Sequence, residues 1–146
     1  QMTDEFYPLL QAHKNAIRLE QAQNDVMVYG DSEKLARVFH NILKNAVAYS
    51  YPDTEIIVKC RRDEDVVKID FVNRGRTIPR QKLDSIFEKF FRLDDARSSN
   101  TGGAGLGLAI AKEIVTLHGG IIAADSKDEV TTFSVELPGY DLSDMD

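Results

Sequence analysis

Four glycines lie within six residues, at Gly102, Gly103, Gly105 and Gly107. Glycine lets backbone amides turn toward a ligand and lets that ligand approach the chain closely. The helix expected over 105–118 adds unpaired N–H groups and a favourable dipole at its start. The spacing therefore predicts an anion site, although a flexible linker running into a helix has the same pattern. The P-loop is excluded because no Gly-Lys-Ser/Thr follows, and the dinucleotide fingerprint because a polar loop, not a strand, precedes the glycines.

A second pair of candidate residues, Asn41 and Asn45, is spaced four apart on a strongly periodic segment. In a helix this spacing stacks the two amides on one face, and Arg37 continues their row. Amide oxygens suit a hard cation such as Mg²⁺, which takes oxygen ligands and keeps several waters. A solvated polar face is the alternative interpretation.

The segment after a predicted strand contains Asn73, Gly75 and Ile78. In this segment a hydrogen-bond acceptor ends the strand, and a glycine and an apolar residue follow. Together they could offer a planar base one hydrogen-bond partner and one apolar surface. A plain turn is the alternative interpretation.

An aromatic and basic run follows from residue 86 to 92. Phe87 and Phe90 are expected to pack into the core below a loop with almost no apolar content over 94–104. Lys89, Arg92 and Arg97 could reach the oxygens of a bound anion, although most such charges are simply solvated.

The elements that must position these residues follow from hydrophobic periodicity. Helices are predicted at 3–13, 32–49, 79–84, 86–92 and 105–118, with Asp31 as the N-cap of the second and Gly119-Gly120 ending the last. Strands are predicted at 16–21, 26–29, 56–61, 67–71, 121–126 and 131–137. This order predicts a two-layer α/β sandwich, in which a mostly antiparallel sheet of about five strands is covered on one face by three helices.

Composition sets further bounds. With 146 residues and 42% hydrophobic content, the chain is expected to form one domain over 1–140 and a disordered acidic tail over 141–146. The net charge of −6 argues against nucleic acid as the main partner. Cys60 is the only cysteine, so no intrachain disulfide can form, and it is expected to be a small buried core residue. No stretch approaches a membrane span, and the first residue, Gln1, suggests a piece of a longer protein.

The succession of these segments resembles the N, G1, F and G2 boxes of sensor histidine kinases, within the wider family of gyrase, mismatch-repair and heat-shock chaperone ATPases. The resemblance runs from about Asp31 to Pro138. Its most specific parts are Asn41-Ile42-Leu43-Lys44-Asn45-Ala46, Phe87-Glu88-Lys89-Phe90-Phe91-Arg92 and Gly103-Ala104-Gly105-Leu106-Gly107-Leu108. The segments 92–99 and 109–114 look most like vancomycin-resistance sensor kinases.

The resemblance implies a Bergerat ATP-binding fold and a site for Mg²⁺ and ATP. Asn45 would be the main protein ligand of Mg²⁺, with Asn41 beside it near the phosphates. Tyr49 would flank the adenine, and Asn73 would accept a hydrogen bond from its exocyclic amine. The other residues that it assigns to ATP are Gly75 and Ile78 at the base, Lys89 and Arg92 at the phosphates, and Gly103, Gly105, Leu106 and Gly107 at the end of a lid over 92–104. Asn41, Asn45 and Arg92 would be the catalytic residues.

Three positions depart from the family pattern. Asn73 stands where an aspartate is usual, so its acceptor oxygen carries no charge. Thr77 replaces the second glycine of that turn. Ala48 replaces a frequent lysine that reaches phosphate, which leaves Lys89, Arg92 or Arg97 for that role.

The implied reaction transfers the γ-phosphoryl group of ATP to a histidine on a separate dimerisation domain, for relay to a response regulator in glycopeptide-resistance signalling. The chain would be a monomeric cytoplasmic domain of a homodimeric sensor in the bacterial plasma membrane. None of His13, His40 and His118 precedes an acidic residue as the family's acceptor does, so we expect no phosphoacceptor here. Two alternatives remain open: an ATP-hydrolysing clamp, and a degenerate nucleotide-binding interaction module.

Overall fold

The computed structural model describes residues 15–21, 31–91 and 106–139. Their strands are β1 (Ala16–Gln21), β2 (Glu55–Asp63), β3 (Val66–Arg74), β4 (Ile121–Lys127) and β5 (Val130–Pro138). Their helices are α1 (Ser32–Tyr49), α2 (Arg80–Leu83) and α3 (Gly107–Leu117). The predicted helix 3–13, the strand 26–29 and the tail 141–146 lie outside the described residues.

The strands form one sheet in the order β1-β2-β3-β5-β4. β1 pairs parallel to β2, whereas the β2–β3, β3–β5 and β4–β5 pairs are antiparallel. The helices pack on one face of this sheet, and α1 also packs against α3. The predicted two-layer sandwich with a mostly antiparallel sheet is confirmed.

Helix α1 forms where the sequence pattern predicts it. Its buried side chains include Leu35, Val38 and Ile42, which recur at the spacing of one helical face. Asp31 is the N-cap, and its Oδ1 accepts from the backbone N–H groups of Glu33 at 3.0 Å and Lys34 at 3.2 Å. These bonds satisfy donors that the first helical turn cannot pair internally.

The covered face of the sheet is an alternating row of buried residues. Val67, Ile69 and Phe71 of β3 lie opposite Leu137, Val135 and Phe133 of β5. The next pair in this row is polar, Asn73 opposite Thr131, and each is only 3% exposed. The apolar row of the core therefore ends in a buried polar pair at the end of β3.

The predicted helix over 86–92 is wrong in the part that the structure describes. Residues 84–90 form successive turns, in which Glu88 N–H donates to Ser85 O and Phe91 N–H donates to Glu88 O, three residues back. Phe90 has a φ of 69°, which an α-helix cannot accommodate. Phe87 packs edge-on against Phe133 as expected, but Phe90 is 68% exposed and its predicted core packing is wrong.

The end of α3 and the position of Cys60 were also predicted from the sequence. α3 ends as predicted, because Gly119 takes a left-handed φ of 76° and Gly120 N–H returns to Val115 O at 2.9 Å. Cys60 is half-buried rather than fully buried, and desolvation raises the pKa of its thiol. No helix in the described ranges is long and apolar enough to cross a membrane.

Candidate functional site

The start of α3 lies against the asparagine row of α1. Asn41 Nδ2 donates to the carbonyl oxygen of Gly107 at 3.1 Å. A Cβ built on Gly107 would lie 3.7 Å from Asn41 Cγ, an ordinary contact distance. The last glycine of the predicted anion loop and the first asparagine of the predicted cation pair are therefore neighbours, although 66 residues separate them in sequence.

The N-terminus of α3 receives no hydrogen bond from the side chain of its own N-cap residue, Leu106. The first turn of α3 also contains no acidic residue. The side chain of Leu106 therefore does not occupy the first N–H groups of α3. No negative charge in the first turn would repel a bound anion.

Asn45 lies one turn beyond Asn41 on α1, and both side chains are half-buried. Their stacking on one face matches the prediction from their spacing. In the described ranges, no group of three or more His, Cys, Asp or Glu residues could hold a metal ion. The donor set of this row consists of neutral amide oxygens, which suit a hard cation that also takes oxygens from phosphate and water.

Tyr49, at the end of α1, meets the loop that follows β3. A Cβ built on Gly75 would lie 2.2 Å from the carbonyl oxygen of Tyr49 and 3.4 Å from Asn73 Nδ2. Only glycine fits at position 75, because real Cβ atoms essentially never approach another atom so closely. The buried amide of Asn73 is thus brought next to the end of α1.

A cavity of about 300 Å³ opens between the end of α1 and this loop. Its lining residues are Ala48, Tyr49, Ser50, Tyr51, Arg76, Thr77, Ile78, Pro79 and Lys82. Tyr49 and Ile78 were both predicted to border a planar base. Aromatic and apolar side chains thus share the wall with polar ones, a combination that suits a flat heterocycle. Asn73, which was also predicted to contact the base, is not among the lining residues.

The β4–β5 hairpin holds the loop that forms one wall of the cavity. Ile78 N–H donates to Ser126 Oγ at 2.9 Å, and Ser126 Oγ lies 2.8 Å from Thr131 Oγ1. Glu129 N–H donates to Thr77 Oγ1 at 2.8 Å. The contacts of Ile78 with Ser126 and of Thr77 with Glu129 join residues 48 and 52 apart in sequence, and no local pattern indicated them.

Tyr51 is a further residue that sequence analysis missed. Its hydroxyl donates to Glu129 Oε2 at 2.8 Å. That hydrogen bond is the main cause that raises the pKa of Tyr51 above its ordinary value, because the bond requires the protonated hydroxyl.

Of the remaining predicted site residues, the structure describes only Lys89. Lys89 is exposed. Arg92, Gly103 and Gly105, with the predicted lid 92–104, lie outside the described residues.

The histidines were expected to be structural. His118 links two helices, since its Nε2 accepts from Asp31 N–H at 3.1 Å while its Nδ1 lies 2.8 Å from Ile114 O. His40 is half-buried on α1, next to Asn41. His13 lies outside the described residues.

Comparison with known proteins agrees with this geometry. The profile of the "Histidine kinase-, DNA gyrase B-, and HSP90-like ATPase" family matches residues 30–141. The sensor protein VanS of Enterococcus faecium is 60% identical over 145 residues, which cover 99% of this chain and 37% of VanS.

Two solved structures show the same fold. The mycobacterial sensor histidine kinase MprB superposes with a TM-score of 0.81 at 29% identity, covering 97% of this chain and 95% of that one. Histidine kinase ThkA, in its complex with the response regulator protein TrrA, gives a TM-score of 0.78 at 22% identity, covering 95% of this chain and 38% of that one. With the family profile matched over most of its length, the chain belongs to the histidine kinase-, DNA gyrase B- and HSP90-like ATPase family.

Proposed function

We propose that this chain is the Mg-ATP-binding catalytic domain of a two-component sensor histidine kinase. In this proposal it transfers the γ-phosphoryl group of ATP to a histidine on a separate dimerisation domain. The observation that carries the proposal is that one helix, α1, bears both the hydrogen bond from Asn41 to Gly107 O and, about two turns further along, the Tyr49 wall of a cavity that Ile78 also lines. A nucleotide needs two features: backbone N–H groups that can bind its phosphates, and an apolar cavity that can hold its base.

The base would lie in the cavity between Tyr49 and Ile78. Asn73 would accept a hydrogen bond from the exocyclic amine of adenine through its amide oxygen. Support comes from its 3% exposure at the end of the core row and from Gly75, whose missing side chain lets the loop approach Tyr49.

The phosphates would lie toward the start of α3. Asn45, with Asn41 beside it, would supply protein oxygens to Mg²⁺, which would neutralise phosphate charge when bound. The backbone of Gly103, Gly105, Leu106 and Gly107 would contact the phosphates, and Lys89 and Arg92 would add positive charge. These groups would orient the nucleotide, so their contribution would be positioning and charge neutralisation rather than covalent chemistry.

The parent protein and its partners extend this proposal. The chain spans 37% of the length of VanS, so the acceptor domain and the sensor region would lie in parts of the parent beyond it. The 60% identity to VanS supports a role in glycopeptide-resistance signalling. The complex of ThkA with TrrA supports a response regulator as the next acceptor. The parent would be a homodimeric membrane sensor, with this chain on the cytoplasmic side.

Phosphotransfer tests the proposal directly. Radiolabelled ATP and Mg²⁺ are supplied to the chain alone, and in parallel to the chain with a separately purified dimerisation domain that carries the acceptor histidine. The expected result is label on the dimerisation domain and no stable label on the chain. Label on His13, His40 or His118 would contradict it. Rapid ATP hydrolysis by the chain alone, without transfer, would favour a clamp ATPase instead.

A further inference from the structure

The turn between β4 and β5 has an unusual sequence for its geometry. It consists of Asp128 and Glu129, with φ values of 53° and 65°, between the paired residues Lys127 and Val130. Two central residues with positive φ define a type I′ hairpin turn, which favours Asn-Gly or Asp-Gly. Glutamate is disfavoured in this left-handed conformation, so the geometry of Glu129 must be held by its surroundings.

Three hydrogen bonds of Glu129 supply those surroundings. Its carboxylate accepts from the Tyr51 hydroxyl at 2.8 Å. Its N–H donates to Thr77 Oγ1 at 2.8 Å, and its carbonyl oxygen accepts from Gly75 N–H at 3.1 Å. All three partners belong to segments that form the cavity beside the end of α1.

The partners come from two different segments. Tyr51 follows α1, whereas Gly75 and Thr77 follow β3, and Tyr51 and Thr77 both line the cavity. Tyr51 N–H also donates to Arg74 O at 2.8 Å, which joins the same two segments directly. Glu129 thus hydrogen-bonds to both segments from outside the cavity and, together with the Tyr51–Arg74 backbone bond, holds two of its walls at a defined separation.

We propose that Glu129 is a positioning residue that sets base selectivity, by holding Tyr51 and the 75–78 loop at the spacing that fits adenine. This inference rests on the proposed function. The carboxylate holds the side chain of Tyr51. The bond to Tyr51 is the only one of the three that the Glu129 side chain makes, since the other two come from its backbone. Loss of the carboxylate releases the side chain of Tyr51, while its backbone bond to Arg74 and the two backbone bonds of residue 129 remain.

The substitution Glu129→Gly separates selectivity from folding. Glycine takes a φ of 65° without strain, and it keeps the N–H and the carbonyl group of residue 129. The matched control is Glu64→Gly in the β2–β3 turn, since Glu64 has a φ of 57° and lies at the opposite end of the nine-residue strand β3. Both variants relieve the same kind of backbone strain, but only Glu129→Gly removes a contact to the cavity.

Calorimetric titration of the full chain with Mg-ATP and with Mg-GTP is the test, with thermal unfolding measured alongside. We expect Glu129→Gly to unfold no earlier than the wild type, to bind ATP about three- to tenfold more weakly and to discriminate less between ATP and GTP. Glu64→Gly should bind as the wild type does. Tyr51→Phe should reproduce the loss, and the double variant should lose no more than either single variant.

The outcomes separate this inference from the proposed function. If the wild type fails to bind ATP, the proposed function fails, and this inference fails with it. If the wild type binds ATP but Glu129→Gly keeps the same affinities and the same ATP preference, only this inference is overturned. An equal loss in Glu64→Gly also overturns it, because the effect would then be general to the hairpins.

Discussion

Adding one methyl group should destabilise the protein at Gly75 but not at Gly107. In Gly75→Ala the new Cβ would lie 2.2 Å from the carbonyl oxygen of Tyr49, whereas ordinary contacts lie at 3.4–4 Å. The obstacle is backbone at the end of α1, which cannot turn aside as a side chain could. The loop must therefore move by about 1 Å or more, a shift that also strains the bond from Gly75 N–H to Glu129 O.

The magnitude follows from these contacts. Overpacking costs about 1–3 kcal/mol, and a weakened hydrogen bond costs about 1 kcal/mol more. Gly75→Ala should therefore lower the free energy of unfolding by about 2–4 kcal/mol, and the melting temperature by about 5–15 °C. ATP affinity should fall at least about tenfold, because the displaced loop carries Thr77 and Ile78, which line the cavity.

Gly107→Ala is the matched comparison. Its Cβ would have ordinary contact with the side chain of Asn41, at 3.7 Å from Cγ, and alanine suits a helix better than glycine by about 0.5–1 kcal/mol in a helix interior. At this first helical position the gain should be smaller, so stability should equal or slightly exceed that of the wild type. Mg-ATP should still bind more weakly, since the methyl group would lie where the phosphates approach.

Urea unfolding and Mg-ATP calorimetry of both variants provide the assay. A Gly75→Ala variant as stable as the wild type would refute the predicted steric conflict, and so would a Gly107→Ala variant destabilised to the same extent. A Gly107→Ala variant with unchanged ATP affinity would contradict the phosphate role of Gly107 alone.

One further substitution, at Asn73, and one chemical modification, at Cys60, each test a single residue. Asn73→Asp should lower the unfolding free energy of the nucleotide-free chain by about 1–3 kcal/mol, because a nearly buried carboxylate loses hydration; it should also increase the rise in melting temperature that ATP causes, since the charge strengthens the bond to the adenine amine. Weaker ATP binding by Asn73→Asp than by the wild type would contradict the role of residue 73. Cys60 should react with iodoacetamide at least several-fold more slowly in the native chain than in urea at neutral pH, because burial raises the pKa of its thiol and so lowers the thiolate fraction; equal rates, followed by mass spectrometry, would contradict its half-buried position.

Local patterns were sufficient to predict most of the fold. The spacing of Leu35, Val38 and Ile42 and the capping residue Asp31 predicted α1, because helical burial and capping depend on nearby residues. Alternation within β3 and within β5 predicted a strand with one buried side at each position, for the same reason.

The incorrect helix over 86–92 shows where local reasoning stops. Phe87 and Phe90 have a spacing that a helix would also give, but the positive φ of Phe90 and the turns before it direct only Phe87 into the core. Side-chain spacing cannot reveal such a backbone conformation. The usual signal of a positive φ is a glycine, and here the position is occupied by Phe90.

Local patterns indicated separate segments of the candidate site, but not the contacts by which these segments meet. The asparagine spacing predicted a shared face for Asn41 and Asn45, yet nothing local predicted that Asn41 would donate to Gly107. The steric need for Gly75 depends on the carbonyl of Tyr49, and the bond from Tyr51 to Glu129 spans 78 residues. Such contacts are set by the sheet order and register, which the sequence does not display.

The most direct test of the central claim is calorimetric titration of the chain and of Asn45→Ala with ATP, each with and without Mg²⁺. Asn45 is half-buried on the surface of α1, so its truncation should leave the fold intact, as thermal unfolding will verify. We predict that Mg²⁺ strengthens ATP binding to the wild type and that Asn45→Ala loses about tenfold or more of the affinity measured with Mg²⁺. Identical binding of the two chains in Mg²⁺ would contradict the assignment of Asn45, and with it the proposed Mg-ATP site.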